Sequence, residues 1–168
     1  MNFIDEKKIY LPPNKLNRMF KIITKHPDVI FYRAVKWHKR YKKAKNNKSF
    51  LLPLYARIAN KYSTKYNLEL YGKYGKKLKI WHGNIVINGE AILGDNINLH
   101  GNNCIGSNGK GAPILGDNID VGYGATIIGN IKLANNIVIG ANSLVNKSFL
   151  EEGVTIVGIP ARIIRKNS

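Results

Sequence analysis

Aliphatic residues return every six positions through the second half of this chain. They fall at Ile87, Leu93, Leu99 and Ile105, and after a break at Leu115, Val121, Ile127, Leu133, Ile139 and Val145. A second column follows four residues on, at Ala91, Ile97, Ile119, Ala125, Ile131, Ile137 and Ser143. A six-residue period suits neither an α-helix nor a simple alternating strand. It suits a prism of short strands, three hexapeptides to an 18-residue coil. Glycine often follows the aliphatic residue, as in Leu93-Gly94, Val121-Gly122 and Ile139-Gly140, and Asn or Asp fills the positions between. Those two side chains tolerate the left-handed backbone that a tight corner needs. The expected fold is therefore mainly β, a parallel β-helix interrupted by a loop near 107–114 and closed by a C-terminal tail.

The first half is built differently. Residues 1–80 hold 21 Lys and Arg against four acids and only two of the 16 glycines, while residues 81–168 are neutral; the whole chain carries +17. The basic part reads as a small α-helical region over 1–66, followed by the β-helix over 67–168. Leu16, Met19, Phe20 and Ile23 fit a short amphipathic helix with Asn14 as its cap. Pro27 and Asp28 open a second helix whose apolar face is expected at Ile30, Ala34, Trp37 and Tyr41, running to a turn at Asn46–Asn47. Pro53 begins a third, with Leu54, Ile58 and Tyr62 on one side. The lysines predict a solvated face or a peripheral contact with an anionic membrane through Lys39, Arg40, Lys42, Lys43 and Lys45. No recognition motif accompanies the charge, so no nucleic-acid partner is expected.

Composition excludes several classes. The longest apolar runs fall far short of the roughly 18 residues of a spanning helix. Asp5, Glu6, Lys7 and Lys8 stand where an export signal would be apolar, and one cysteine, Cys104, leaves no disulfide framework and no Cys-rich metal site. The expected compartment is the cytoplasm, including the inner face of the membrane. Cys104 reads as an incidental free thiol.

Counting back in sixes from Leu99 reaches Trp81, which makes His82 and His100 second residues of their hexads, 18 positions apart. The count predicts two imidazoles stacked in one column, about 4.8 Å apart. The same column continues to Gly122 and Gly140, predicted to leave room for a groove.

These segments resemble the hexapeptide-repeat acyltransferases, whose left-handed parallel β-helix is a rare exception to right-handed crossover. The serine acetyltransferase-like branch is the most similar. The resemblance rests on Phe31-Tyr32-Arg33-Ala34 with Trp37 and His38, on Leu68-Glu69-Leu70, and on Ile80-Trp81-His82-Gly83-Asn84-Ile85-Val86-Ile87. It continues through Pro113-Ile114-Leu115-Gly116-Asp117-Asn118 to Val157-Gly158-Ile159-Pro160-Ala161-Arg162. It implies an O-acetyltransferase with acetyl-CoA as co-substrate, no metal, direct transfer in a ternary complex and a homotrimer with sites between neighbouring solenoids. His82 matches the family's general base and Glu69 the acid that orients it, though Tyr71 stands where proline is usual; His100 is a further catalytic candidate. Gly122, Tyr123, Gly140, Ala141, Pro160 and Arg162 are the candidate CoA contacts. Ala112 replaces a second histidine tied to the amino-acid acceptor, and the helical part is short. The expected acceptor is therefore a hydroxyl of a sugar or surface-polysaccharide precursor, lipid-linked forms included, with free serine as the alternative and a non-catalytic binding solenoid as a third reading.

Overall fold

The computed structural model describes residues 4–166, so the outermost residues of the two predicted regions, 1–3 and 167–168, lie outside the described residues. The chain divides into two compact units, Met1–Leu68 and Glu69–Ser168.

The first unit is helical: α1 (Ile4–Tyr10), α2 (Lys15–Ile23), α3 (Pro27–Asn46) and α4 (Leu52–Tyr66). Asn14 caps α2, its side chain accepting from the Leu16 N–H at 2.8 Å. Pro27 opens α3, where its missing N–H costs nothing, and α3 ends at the expected Asn46–Asn47 turn. The buried stripe of α3 differs from the expected one. Val29, Phe31, Ala34, Val35 and His38 are inside, whereas Ile30, Trp37 and Tyr41 are only half-buried. Phe31 meets Tyr66 of α4 edge-on at 5.9 Å, and Trp37 lies beside Tyr55 at 6.0 Å, so packing of the two long helices turns the stripe. The predicted cationic face is likewise not all on the outside: Lys39 is only 4% exposed.

His38 reaches across to α4, with Nε2 3.0 Å from Ser63 Oγ. Burial, with Lys42 nearby, pushes His38 down to about 4, and burial with the charge of Lys39 pushes Lys42 down to about 7. The unfolded chain therefore binds more protons than the folded one between pH 4 and 6.5 at His38. Its stabilising neutral form is complete above 6.5 and lost as pH falls. At pH 5 this is worth about 2 kcal/mol. We expect the thermal midpoint to fall between pH 6.5 and 5, and His38→Gln, which does not titrate, to flatten that limb. Parallel pH curves for the two proteins would refute the assignment.

The second unit is a solenoid. Its first coil holds β1 (Leu68–Leu70), β2 (Lys73–Tyr74) and β3 (Lys79–Ile80), and its second β4 (Ile85–Ile87), β5 (Ile92–Leu93) and β6 (Asn98–Leu99). The third coil holds β7 (Asn103–Gly106), β8 (Ile114–Leu115) and β9 (Asp120–Val121), and the fourth β10 (Thr126–Ile128), β11 (Lys132–Leu133) and β12 (Val138–Ile139). It ends in β13 (Leu144–Val145), β14 (Val154–Gly158) and β15 (Ala161–Lys166). Through β13 every third strand stacks in parallel, and with β14 and β15 added to the third the three faces are ordered β1-β4-β7-β10-β13, β2-β5-β8-β11 and β3-β6-β9-β12-β14-β15. Among the described residues only β15 runs antiparallel, folding back on β14. Both aliphatic columns read from the sequence point inward and are buried from Ile87 to Val145. Corners turn through left-handed asparagines: Asn96, Asn118 and Asn136 all have positive φ. Their amides form a ladder, Asn96 donating to Asn118 at 2.8 Å and Asn118 to Asn136 at 3.0 Å.

The first coil departs from the count of six. Ile80, not Trp81, pairs with Leu99, and Trp81 is exposed. By Asn103 the register is back at 18, since Ile85 pairs with Asn103. The corner after β3 thus holds one residue more than the corner after β6.

Candidate active site

That extra residue sets the geometry of the two histidines. His82 and His100 do not stack on each other. Trp81 takes the place over His100, ring centroids 5.8 Å apart and planes 29° apart, and Lys79 Nζ caps the indole at 3.6 Å. His100 Nε2 lies 2.7 Å from Asp120 Oδ1, one coil further along the same face. The carboxylate and the indole together hold this imidazole in one orientation.

His82 projects from the bulged corner onto the next two coils. Its exposed ring meets Tyr123 nearly edge-on, at 6.3 Å and 73°. Between them lies Gly101, with φ +123°, a backbone region that only glycine adopts readily. A Cβ there would fall 2.6 Å from His82 Cβ and 3.0 Å from Tyr123 Cε2. Asn103 fixes this corner from within. Its buried side chain accepts from the Gly101 N–H at 2.9 Å and donates to the Gly122 carbonyl at 2.8 Å. Sequence reading passed over Asn103. A polar residue in the inward column between Ile97 and Ile119 was the available signal.

Glu69 is exposed at the centre of β1, on the face that carries Val86 and Cys104 further along. Among the described residues no hydrogen bond or ion pair joins it to His82. Its charge is felt instead at Cys104, a half-buried thiol whose pKa is raised by burial first and by Glu69 second. A thiol held protonated in this way is a poor nucleophile.

A Cβ on Gly122 would lie 2.6 Å from the Ala141 backbone nitrogen, and one on Gly140 would lie 2.5 Å from Val157 Cγ1. These glycines let successive coils close together. Tyr123, Ala141, Pro160 and Arg162 are exposed, so accessible donors and apolar surface at this edge come from them. Ser143, buried beneath, accepts from the Gly158 N–H at 3.1 Å and ties down the turn that precedes Pro160. Among the described residues no group of three His, Cys, Asp or Glu side chains could hold a metal ion, and no helix is long and apolar enough to cross a membrane.

No family model matches the chain. Curated relatives do: a serine acetyltransferase of Staphylococcus epidermidis is 34% identical over 134 residues, 77% of this chain and 61% of the relative. A serine acetyltransferase of Staphylococcus aureus is 34% identical over 135 residues, with the same coverage. The chain spans about three fifths of the length of these relatives. Among solved structures, the serine acetyltransferase of Neisseria gonorrhoeae superposes with a TM-score of 0.71 at 26% identity, covering 82% of this chain and 55% of that one. A Brucella abortus serine acetyltransferase in complex with coenzyme A gives 0.72 at 24%, covering 82% and 56%. A soybean serine acetyltransferase complexed with serine gives 0.69 at 24%, covering 80% and 57%. These relatives overturn the sugar or polysaccharide acceptor expected from Ala112 and the short helical part, because the proteins this chain matches are named for serine. The chain is thus similar, over 77% of its length, to serine acetyltransferases, and it shares their hexapeptide-repeat β-helix.

Proposed function

We propose that the chain is an acetyl-CoA-dependent serine O-acetyltransferase with His82 as its general base. One observation carries the reading: an exposed imidazole, packed against the Gly101 corner and the Tyr123 ring, stands on a solenoid whose curated relatives are serine acetyltransferases. In the reaction, His82 accepts the hydroxyl proton as the serine oxygen attacks the thioester carbonyl. The tetrahedral intermediate collapses with cleavage of the C–S bond, and the imidazolium returns the proton to the departing CoA sulfur. In this reading transfer is direct from the thioester to the serine oxygen. Backbone N–H groups at the corner would stabilise the oxyanion.

In this reading His100 is a positioning residue: Asp120 fixes it, and the carboxylate offers an amino-acid ammonium group a nearby negative charge. Arg162 and Tyr123 would contact the CoA moiety, the cation suiting its phosphates. Ile92 and Ile114 lie side by side on the outer surface of β5 and β8, exposed. An apolar strip of this kind suits a contact between copies of the chain, and the resemblance to the family implies three of them. The test is release of free CoA thiol from acetyl-CoA with L-serine, alongside the mass in solution. We expect serine-dependent release from a particle of three chains. Absence of release with serine, by a protein that still binds acetyl-CoA, would defeat the acceptor assignment.

A further inference from the structure

Helix α2 presents its apolar face outward. Leu16, Met19, Phe20 and Ile23 recur at three- and four-residue spacing and therefore share one side of the helix. They are 76, 50, 67 and 73% exposed, and no residue of α2 is buried. The opposite side is the one tied to the protein. Arg18 Nη2 donates to the Pro13 carbonyl at 2.8 Å, and Nε and Nη2 both donate to the Pro12 carbonyl at 3.3 Å. Lys21 pairs with Asp28 in the first turn of α3. Two tethered cations thus set the roll of the helix and leave four large apolar side chains in water.

What covers them is indicated by charge. Lys15 and Lys25 stand exposed at the two ends of the helix, and residues 1–68 hold 17 Lys and Arg against three acids. A second copy of so cationic a surface would meet its own charge. An anionic bilayer would meet the opposite one, and an apolar helix face flanked by lysines is the form that lies in a membrane interface. We propose that α2 is an interfacial docking helix. Its Leu16, Met19, Phe20 and Ile23 side chains enter the headgroup–acyl boundary of an anionic lipid surface, with Lys15 and Lys25 at the level of the headgroups. This places the contact on α2 and not on the Lys39–Lys45 stretch, where Lys39 is buried.

Vesicle sedimentation of the full chain tests it. The protein should partition onto vesicles of phosphatidylcholine with phosphatidylglycerol and much less onto phosphatidylcholine alone. Leu16→Ser/Phe20→Ser/Ile23→Ser should weaken that partition by about tenfold or more, with the helical circular-dichroism signal retained. Equal binding by the triple variant would overturn the proposal, as would no binding by the parent protein. A parent whose mass in solution drops on triple substitution, without vesicle binding, would assign the face to a second copy instead. Phe20→Trp gives a reading that needs no loss of side chains. Its added emission should shift to the blue on anionic vesicles and be quenched by acyl-chain bromolipid, and unquenched emission would overturn the proposal.

Discussion

His82→Ala should lower kcat for acetyl transfer by roughly 10²–10⁴-fold, the usual worth of a positioned general base. The side chain is exposed and its removal opens no core cavity, so the thermal midpoint and the KM for acetyl-CoA should stay near those of the parent. The distinguishing measurement is the pH profile. In the parent, kcat/KM should fall on the acid side, as with any histidine general base, and in the variant that limb should disappear. His100→Ala should behave differently, because His100 is already bonded to Asp120 and faces Trp81. Its loss should raise the KM for the acceptor more than it lowers kcat. If His82→Ala keeps turnover within about threefold while His100→Ala abolishes it, the base is His100.

Much of this architecture is legible in the residues. The hexad columns from Ile87 to Val145 specify three faces because every inward position except Asn103 is apolar or small, and the asparagines mark corners because few other L-residues accept positive φ. The first coil misleads for a physical reason. Trp81 is apolar and falls on the count of six, but the corner after β3 carries one more residue, and Ile80 is the side chain that reaches the core. No periodicity can reveal a one-residue bulge when both neighbours are hydrophobic. The stripe of α3 was misplaced by a related ambiguity, since Ile30 and Phe31 both supply an apolar residue and only contact with α4 decides between them. For α2 the amphipathic pattern is plain in the sequence. Its outward direction depends on Arg18 bonding the Pro12 and Pro13 carbonyls that lead into the helix and on Lys21 pairing with Asp28 of α3, contacts that helical periodicity does not show.

Gly101→Ala should disable the site through its geometry alone. The residue sits at φ +123°, so any side chain brings a backbone cost of about 1–3 kcal/mol. The new methyl would also meet His82 Cβ at 2.6 Å and the Tyr123 ring at 3.0 Å, distances that ordinary carbon contacts do not reach. The imidazole cannot stay where it is. Near-attack geometry is sensitive to displacements of an ångström, which can cost on the order of 10²-fold. We therefore expect Gly101→Ala to reduce kcat by about 10²-fold with a modest drop in thermal midpoint. Strain alone could lower stability, so a second glycine supplies the comparison. Gly129 has φ +99° at another corner, where an added Cβ would meet the flexible end of Asn108 at 2.9 Å. Gly129→Ala should lose similar stability and keep its turnover. Equal losses of turnover in both variants would mean that strain in the solenoid, and not the seat of His82 on Gly101, governs activity.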